Sequence, residues 1–397
     1  MQSYPYLIVG GGMTAASAIQ GIRKYDTSSL IGLFSLEEHP PYSRPPLTKG
    51  LWKGKPLEKI WLQGLEENVE LHLGTRVHAI DPQRKQVQDS LGNVYAYDEL
   101  LLATGGKLRR LAFGEGRIIY YRTLDDYQLL HNLTGQGKHF LILGGGFIGS
   151  ELAAALAMTG ERVTMLFPDP ALGSRIYPPE LSAYLTSYYR EKGVEILSGF
   201  SMTGFEEQAD HLVVKTDQGE LHVDQIIAGI GIVPDTALAE SAGLKVNNGI
   251  LVDEFLRTSQ PNIFAAGDVA SFYNPALGQR IRVEHEDNAL SMGKHAGMNM
   301  ALQASSSEPV PYHHLPYFYS DLFDLGYEAV GDLDSRLDNV IDWQEPFKKG
   351  VIYYLKDQRV RGVLLWNIWN QVDAARKLIS EPGPFDAHAL KALKTFK

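Results

Sequence analysis

The sequence has no cysteine in its 397 residues. This absence excludes disulfide bonds, cysteine-ligated iron–sulfur clusters, cysteine zinc sites and catalysis by a thiol. There is also no apolar run of about 18 residues, so no membrane span is predicted. The start, MQSYPYLIVGGG, has neither a basic segment nor a cleavage site, which makes the cytoplasm the expected location. Any redox chemistry would therefore depend on a bound cofactor.

Positive charge is scarce, and the net charge of −10 argues against nucleic-acid binding. The charge is uneven, because residues 345–397 hold ten Lys or Arg and five Asp or Glu. This segment has a balance of +5, against −15 for the rest of the chain. Two interpretations stay open: an ordinary solvated surface, or a docking face for an acidic partner.

A repeated strand, glycine turn, helix and strand is the strongest pattern in the chain. The first copy runs from the apolar strand Tyr6–Val9 through Gly10–Ala15 into a predicted helix, Thr14–Lys24, and a strand, Leu30–Phe34. Each copy is about 30 residues long, as expected of a βαβ unit that binds a dinucleotide.

The second copy begins 134 residues later. It runs from the strand Phe140–Leu143 through Gly144–Gly149 into a predicted helix, Ile148–Thr159, and a strand, Val163–Phe167. Two copies in one chain predict two dinucleotides. FAD and NAD(P) form the simplest pair in the absence of cysteine.

Each glycine turn offers three positions with separate physical roles. The first glycine permits the tight turn, the second lets the backbone approach a diphosphate, and the third small residue lets helix and strand pack closely. The diphosphate then lies at the helix N-terminus, which favours anions. These roles fall to Gly10, Gly12 and Ala15 in the first copy and to Gly144, Gly146 and Gly149 in the second.

The remaining segments complete the domain prediction. Short strands with turn residues, such as Val69–Gly74 and Val87–Tyr97, lie between the copies, followed by an apolar strand, Glu99–Gly105. The fold class is α/β, with two Rossmann-like domains, one inserted in the other, and a C-terminal α+β domain. The predicted boundaries are 1–110 and 245–315 for an FAD-binding domain, 111–244 for an NAD(H)-binding domain and 316–397 for the C-terminal domain.

The chain resembles the FAD-dependent reductases with two dinucleotide domains, and within them the branch of apoptosis-inducing factor and the ferredoxin reductases. The motifs that carry the resemblance are PYSRPPLTKGLW (41–52), GGGFIGSEL (144–152), AGDV (266–269), RVEH (282–285), YEAVG (327–331), LWNIWN (365–370) and ARK (375–377).

The resemblance implies roles for individual residues. Asp268 would accept hydrogen bonds from the flavin ribityl chain, and Arg44 would lie along the FAD. Lys49 would pair with Glu151 beside the flavin N5, although a structural ion pair is the alternative. His285 would lie close to the ring, or it is an ordinary core histidine. Further implied cofactor contacts are Thr104, Gly105, Ile148, Gly231, Gly267, Glu284, Tyr319 and Trp366.

Two positions bear on the ribose contacts. The family's ribose-binding acid in the first unit is replaced by Leu36, which leaves Glu37 as the candidate. In the second unit Asp169 follows the strand, and an acid there favours NADH over NADPH. Arg162 and Arg175 keep NADPH open as the alternative.

The expected function is hydride transfer from NADH to FAD, followed by electron transfer to a small iron–sulfur protein such as ferredoxin or rubredoxin. A helix N-terminus near residues 287–300 would face the flavin edge where negative charge develops. The aromatics Tyr319, Trp366 and Trp369 would shape a docking edge, unless they are core residues. The alternative is a redox-sensing interaction protein like apoptosis-inducing factor, and the chain is expected to be a monomer or a homodimer.

Overall fold

The structure is a computed structural model that describes residues 1–65, 68–393 and 395–396. The chain divides into two compact units. Unit 1 comprises Met1–Arg44, Leu57–Lys107 and Val233–Pro316, and unit 2 comprises Pro45–Pro56, Leu108–Ile232 and Tyr317–Lys397. The domain boundaries given above stay a prediction.

The described residues contain the following elements. The strands are β1 (Gln2–Val9), β2 (Ile31–Phe34), β3 (Val69–His72), β4 (Val77–Asp81), β5 (Gln86–Asp89), β6 (Val94–Leu102), β7 (Gly106–Leu108), β8 (Ile118–Tyr120), β9 (His139–Leu143), β10 (Arg162–Phe167), β11 (Val194–Ser198), β12 (Met202–Glu207), β13 (Leu212–Thr216), β14 (Gly219–Val223), β15 (Gln225–Ala228), β16 (Ile232–Pro234), β17 (Ile250–Leu251), β18 (Ile263–Ala265), β19 (Ala270–Asn274), β20 (Gln279–Ile281), β21 (Tyr317–Leu322), β22 (Leu325–Gly331), β23 (Asp338–Glu345), β24 (Lys349–Lys356) and β25 (Arg359–Trp366). The helices are α1 (Met13–Arg23), α2 (Leu124–His131), α3 (Phe147–Met158), α4 (Pro179–Glu191), α5 (Ala237–Ser241), α6 (Glu286–Ala304), α7 (Val372–Ser380) and α8 (Ala387–Lys391).

Unit 1 is built around a seven-stranded sheet with the order β3-β2-β1-β6-β5-β4, in which β18 also pairs with β6. Strands β3, β2, β1, β6 and β18 are parallel, and β5 and β4 add an antiparallel edge. Helices α1 and α6 pack with their backbones in contact, because a Cβ at Gly297 would lie only 1.9 Å from the Ala18 carbonyl oxygen. The parallel core explains why these strands are apolar along their whole length.

Unit 2 contains a parallel sheet with the order β11-β10-β9-β15-β8 and two antiparallel sheets. The C-terminal antiparallel sheet has the order β21-β22-β25-β24-β23. Helix α7 contacts β22 and β25 of this sheet. The α/β class with two dinucleotide-binding folds and a C-terminal α+β domain is therefore confirmed.

One predicted strand is wrong in its extent. Residues 87–97 form two antiparallel strands, β5 and β6, instead of one. The Asp89 carboxylate accepts hydrogen bonds from the backbone N–H groups of Leu91 and Asn93, and Gly92 takes a φ of +89°. These contacts form a tight turn. The strand after the turn continues through Leu102 and absorbs most of the predicted strand Glu99–Gly105.

Both strand–turn–helix–strand units are confirmed, and each helix begins and ends one residue before the predicted position. Within the part of the chain that the structure describes, no helix combines the length and apolar character needed to cross a bilayer.

Candidate active site

The first glycine turn forms an open cradle at the start of α1. Gly10 has a φ of +126°, and a Cβ there would lie 2.1 Å from the Ala103 carbonyl oxygen, so only glycine fits. Gly12 is the N-cap residue of α1, and a Cβ added there would meet no atom of the rest of the protein within 4 Å. No side chain caps the helix and no acidic residue stands in its first turn. The positive end of the helix dipole therefore faces open space.

The second turn repeats this geometry at the start of α3. Gly144 has a φ of +110°, with the Gly229 carbonyl oxygen 2.5 Å from an added Cβ. Gly146 is the N-cap residue, again with no side-chain cap, no acidic first turn and nothing within 4 Å. Gly149 packs against the turn, since its Cβ would lie 2.0 Å from the Gly144 carbonyl oxygen.

Both cradles fit the diphosphate of a dinucleotide. In each cradle the open space lets an anion approach the backbone closely. The uncapped helix N-terminus supplies N–H groups that can donate hydrogen bonds to it. Ala15 is buried between α1 and the sheet, as the third position requires. Ile148, in the second cradle, has an exposed fraction of 40%, unusual for an apolar side chain at the start of a buried helix.

The predicted ribose contact of the first unit is already engaged in side-chain bonds. The Glu37 carboxylate accepts hydrogen bonds from Arg44 and from the Tyr42 hydroxyl, the latter at 2.7 Å. Leu36, in the position of the missing acid, is 61% exposed. Glu37 therefore anchors Arg44, and its role toward a ribose stays a prediction.

Asp268 lies next to the first cradle. It follows Gly267, where a Cβ would lie 2.3 Å from the Thr14 hydroxyl in the first turn of α1. Arg282 donates hydrogen bonds to the Asp268 carbonyl oxygen at 3.0 Å and to the Glu284 carboxylate at 2.6 Å. The Arg282 side chain thus links Asp268 and Glu284. Arg282 belongs to the RVEH motif, but the sequence alone indicated no role for it.

His285 is the N-cap residue of α6. Burial lowers the pKa of His285 to about 4, so its imidazole is neutral at physiological pH. The first turn of α6 carries Glu286 and Asp287, and Asp287 pairs with His314 at 2.6 Å. The predicted helix N-terminus therefore exists. Two carboxylates lie in its first turn, and their negative charge offsets the positive potential of this helix end.

Thr104 and Gly105 follow the end of β6. The Thr104 hydroxyl donates a hydrogen bond of 2.8 Å to the Asp235 carbonyl oxygen, and Gly105 has a φ of +64°. Both residues therefore have local structural reasons for their identity, and their contact with a coenzyme stays a prediction.

In unit 2, Asp169 follows β10 as predicted and pairs with Arg175 at 3.2 Å. The Asp169 side chain is 33% exposed and that of Arg175 is 79% exposed. Gly231 has a φ of +88°, and its carbonyl oxygen accepts a hydrogen bond from the Arg109 N–H at 3.0 Å. The side chains of Asp169 and Arg175 are both in contact with solvent, so both are accessible to a coenzyme.

Lys49 and Glu151 form the ion pair that the resemblance implies, at 2.6 Å. The side chains are 13% and 3% exposed. Two hydroxyls complete the set, because Thr48 and Ser320 each donate a hydrogen bond of 2.6 Å to the Glu151 carboxylate. The Tyr319 ring centroid lies 5.1 Å from the Lys49 Nζ atom. A buried charge is tolerable only with such partners.

Sequence reasoning missed Ser320 and did not use Thr48. The Ser320–Glu151 bond joins residues 169 positions apart, so no periodicity or local spacing could reveal it. Thr48 was visible as the neighbour of Lys49 in a quoted motif, which is the one signal that could have found it.

Trp366 is a core residue, which is the alternative to a docking edge that the sequence left open. Its exposed fraction is 0%, its ring stacks on Tyr327 with a centroid distance of 5.7 Å, and its indole N–H donates to the Phe347 carbonyl oxygen at 2.9 Å. Such a side chain offers no surface to a docking partner, and its contact with a coenzyme stays a prediction. Trp369 is 43% exposed and remains available at the surface.

Among the described residues, no group of three or more Asp, Glu or His side chains could hold a metal ion.

Comparison with known proteins identifies the family. The profile of "Pyridine nucleotide-disulphide oxidoreductase" matches residues 4–293, and that of "Apoptosis-inducing factor, mitochondrion-associated, C-term" matches residues 341–381. The chain is 33% identical over 423 residues to apoptosis-inducing factor 1, mitochondrial, of Dictyostelium discoideum, covering 96% of this chain and 79% of that protein.

A bacterial relative matches end to end. The ferredoxin–NAD(+) reductase component of the anthranilate 1,2-dioxygenase system of Burkholderia cepacia is 32% identical over 416 residues, covering 100% of both chains. The crystal structure of the covalent putidaredoxin reductase–putidaredoxin complex is similar, with a TM-score of 0.89 and 30% identity over 98% of this chain and 95% of that chain. The chain therefore belongs to the pyridine nucleotide-disulphide oxidoreductase family, in the branch of apoptosis-inducing factor and the ferredoxin reductases, and is an FAD-dependent oxidoreductase.

Proposed function

We propose that this protein is an NADH-dependent reductase that passes electrons through FAD to a small iron–sulfur protein such as a ferredoxin or a rubredoxin. The observation that carries the proposal is the pair of uncapped glycine cradles, one at α1 and one at α3, each with open space before the helix. Two cradles of the same geometry would accommodate the diphosphates of two dinucleotides, and a redox protein without cysteine depends on such bound cofactors.

The residues of unit 1 would hold the flavin coenzyme. Gly10 and Gly12 would admit its diphosphate, and Asp268 beside the cradle would accept hydrogen bonds from its polar chain. Arg44, held by Glu37, would add a positive charge beside the diphosphate. When bound, FAD would accept a hydride from the nicotinamide and release the electrons one at a time.

Lys49 and Glu151 would organise the place where the hydride arrives. The ammonium is held by the carboxylate at 2.6 Å in a nearly buried environment, where a fixed charge acts more strongly than in water. The pair needs no proton transfer to serve this role. Catalysis by this protein would therefore depend mainly on positioning.

Asp169 supports NADH as the electron donor. A carboxylate after the second strand can accept both ribose hydroxyls and repels a 2′-phosphate. Of the two bases that would favour NADPH, Arg162 begins β10, at the other end of the strand from Asp169, and Arg175 is paired with Asp169 at 3.2 Å. The pair thus presents a net charge close to zero, and its free carboxylate oxygen remains available to a ribose.

The basic C-terminal segment supports an acidic partner. Of its ten Lys and Arg residues, Lys394 and Lys397 lie outside the described residues. Lys349 and Trp369 line a surface cavity of about 310 Å³, so that a cation and an exposed aromatic ring stand together. Two of the similar proteins are named for a ferredoxin or a putidaredoxin partner, which also favours this class of acceptor.

The test is a transfer assay with defined acceptors. The FAD-loaded protein is mixed with NADH or NADPH and with a panel of ferredoxins and rubredoxins, and acceptor reduction is followed at increasing salt. We expect faster turnover with NADH, and a steep loss of rate with salt, because attraction between opposite charges is screened. Equal rates with all acceptors and no salt dependence would contradict a docked iron–sulfur partner.

A second function is supported by the match of residues 341–381 to the C-terminal region of apoptosis-inducing factor. In this alternative the protein is a slow NADH oxidase whose association state reports the redox state. Mass measurements of the protein with and without NADH distinguish the two. An NADH-induced change from monomer to dimer together with slow acceptor reduction would favour the sensor, whereas an unchanged mass with rapid reduction favours the reductase.

A further inference from the structure

We propose that the hydroxyl groups of Ser320 and Thr48 are positioning groups for the Glu151–Lys49 pair. They would hold the Glu151 carboxylate, and through it the Lys49 ammonium, in the geometry that hydride transfer uses. The inference rests on the proposed function and extends it, since it assigns work to two hydroxyls that an ion pair alone does not need.

The geometry fixes both oxygens of the carboxylate. One oxygen of Glu151 accepts hydrogen bonds from the Lys49 Nζ atom and the Thr48 hydroxyl, and the other accepts from the Ser320 hydroxyl, all at 2.6 Å. The terminal torsion of a glutamate is broad, so a carboxylate held at one oxygen can rotate. Donors at both oxygens remove this freedom, which fixes the direction in which the carboxylate presents itself to Lys49.

Burial makes the two hydroxyls difficult to replace. Ser320 has an exposed fraction of 0% and Thr48 of 6%, so bulk water does not reach these positions. A buried carboxylate left with fewer donors must shift, admit a water molecule or draw its cation closer. Each of these changes would displace the Lys49 ammonium.

The supports of the carboxylate come from separate parts of unit 2. Glu151 is on α3, Thr48 follows a short 3-10 helix, and Ser320 is on β21 of the C-terminal sheet. Groups mounted on sheets and helices hold a site more precisely than groups on loops, which applies to Glu151 and Ser320, whereas Thr48 and Lys49 lie in a turn. The Tyr319 ring, 5.1 Å from the Lys49 Nζ atom, limits where the ammonium can move. The C-terminal domain would therefore contribute directly to the geometry of the pair.

The first test compares variants that remove a single hydroxyl. Ser320→Ala and Thr48→Val should lower the rate of flavin reduction at saturating NADH by about 10- to 100-fold, the cost of a small misplacement of reacting groups. The affinity for NADH should stay the same, because neither hydroxyl is proposed to contact NADH. Thr48→Ser keeps the hydroxyl and should restore the rate.

Ser182→Ala is the matched control. The Ser182 hydroxyl is also buried in unit 2, with an exposed fraction of 1%, but it has no hydrogen-bond partner. Its removal should leave the rate at the wild-type value. A comparable loss of rate in this control would mean that any buried hydroxyl matters equally, which would overturn the positioning role.

A second test asks whether the hydroxyls act through Glu151. In a Glu151→Gln background, the additional Ser320→Ala change should have little effect, because the group it positions is already altered. If Ser320→Ala slows the Glu151→Gln protein as much as the wild type, the proposed route is wrong.

A third readout does not depend on the flavin reaction. Brief treatment with acetic anhydride, followed by mass spectrometry, reports the accessibility of each lysine amine. We expect Lys49 to react faster in Ser320→Ala and Thr48→Val than in the wild type, relative to the exposed Lys356. Unchanged reactivity of Lys49 in both variants would overturn the inference. Failure of wild-type reduction by NADH would instead overturn the proposed function, and the acetylation result would still decide the positioning role.

Discussion

Gly146→Ala should separate coenzyme binding from folding. The backbone at Gly146 has φ −89° and ψ −167°, which alanine adopts, and an added Cβ would meet no atom within 4 Å. Reduced freedom of the unfolded chain favours alanine by about 0.4–1 kcal/mol, and the poorer N-cap opposes this by about 0.5–1.5 kcal/mol. The free energy of unfolding should therefore change by less than about 1 kcal/mol.

Binding should change much more, because the methyl group would occupy the space into which a diphosphate must come. If one charge-assisted hydrogen bond is lost, the cost is about 1.5–3 kcal/mol. The Kd for NAD+ should then rise by about 10- to 150-fold. Calorimetric titration of the FAD-loaded protein with NAD+ measures this change, and circular dichroism gives the Tm.

Two related variants make the result specific. Gly12→Ala should impair FAD retention and leave the NADH cradle intact, since Gly12 also faces empty space. Gly144→Ala should instead damage folding, because its φ of +110° and the Gly229 oxygen at 2.5 Å exclude a side chain. A Gly146→Ala protein that binds NAD+ as tightly as the wild type, or that loses FAD instead, would refute the assignment of this cradle.

Three further predictions concern individual side chains. Asp169→Ala should free Arg175 for a 2′-phosphate and shift the ratio of kcat/KM for NADH over NADPH by about 10- to 100-fold toward NADPH; an unchanged ratio would place the ribose elsewhere. Leu36→Glu should supply a ribose acceptor and lower the Kd for FAD by about tenfold, whereas an unaltered Kd would mean that Glu37 already serves this role. Burial lowers the pKa of His285 to about 4, while the unfolded chain keeps a value of about 6.5. Between these values only the unfolded state binds the proton, so stability should fall by up to about 3 kcal/mol as the pH drops through this window, and His285→Phe should flatten the dependence in urea unfolding; a variant with the wild-type slope would contradict the assignment.

Much of the fold could be predicted from the sequence, because apolar runs and glycine turns determine it locally. The strand–glycine–helix units at Gly10 and Gly144 appear where the pattern placed them, since only glycine adopts the required positive φ so close to a neighbouring strand. The predicted extent of the strand at residues 87–97 differs from the structure for an equally local reason. Its turn depends on the Asp89 side chain, whose hydrogen bonds to the backbone outweigh the apolar alternation on either side.

The candidate site was predictable only in part. Lys49 and Glu151 were paired by resemblance to a family, and the distance of 2.6 Å agrees with that pairing. The Ser320 contact depends on how β21 packs beside α3, which no local pattern encodes. Trp366 could be a docking residue or a core residue from the sequence, and only the packing of the C-terminal sheet decides for the core. Residue roles that depend on a local motif could thus be predicted from the sequence, whereas contacts between distant segments could not.

An anaerobic titration of the purified FAD-loaded protein with NADH tests the central claim most directly. The account predicts a yellow protein whose visible flavin absorbance disappears with one equivalent of NADH for each bound FAD. A protein that cannot retain FAD, or one that retains it but keeps its colour when NADH is added without oxygen, would contradict the account.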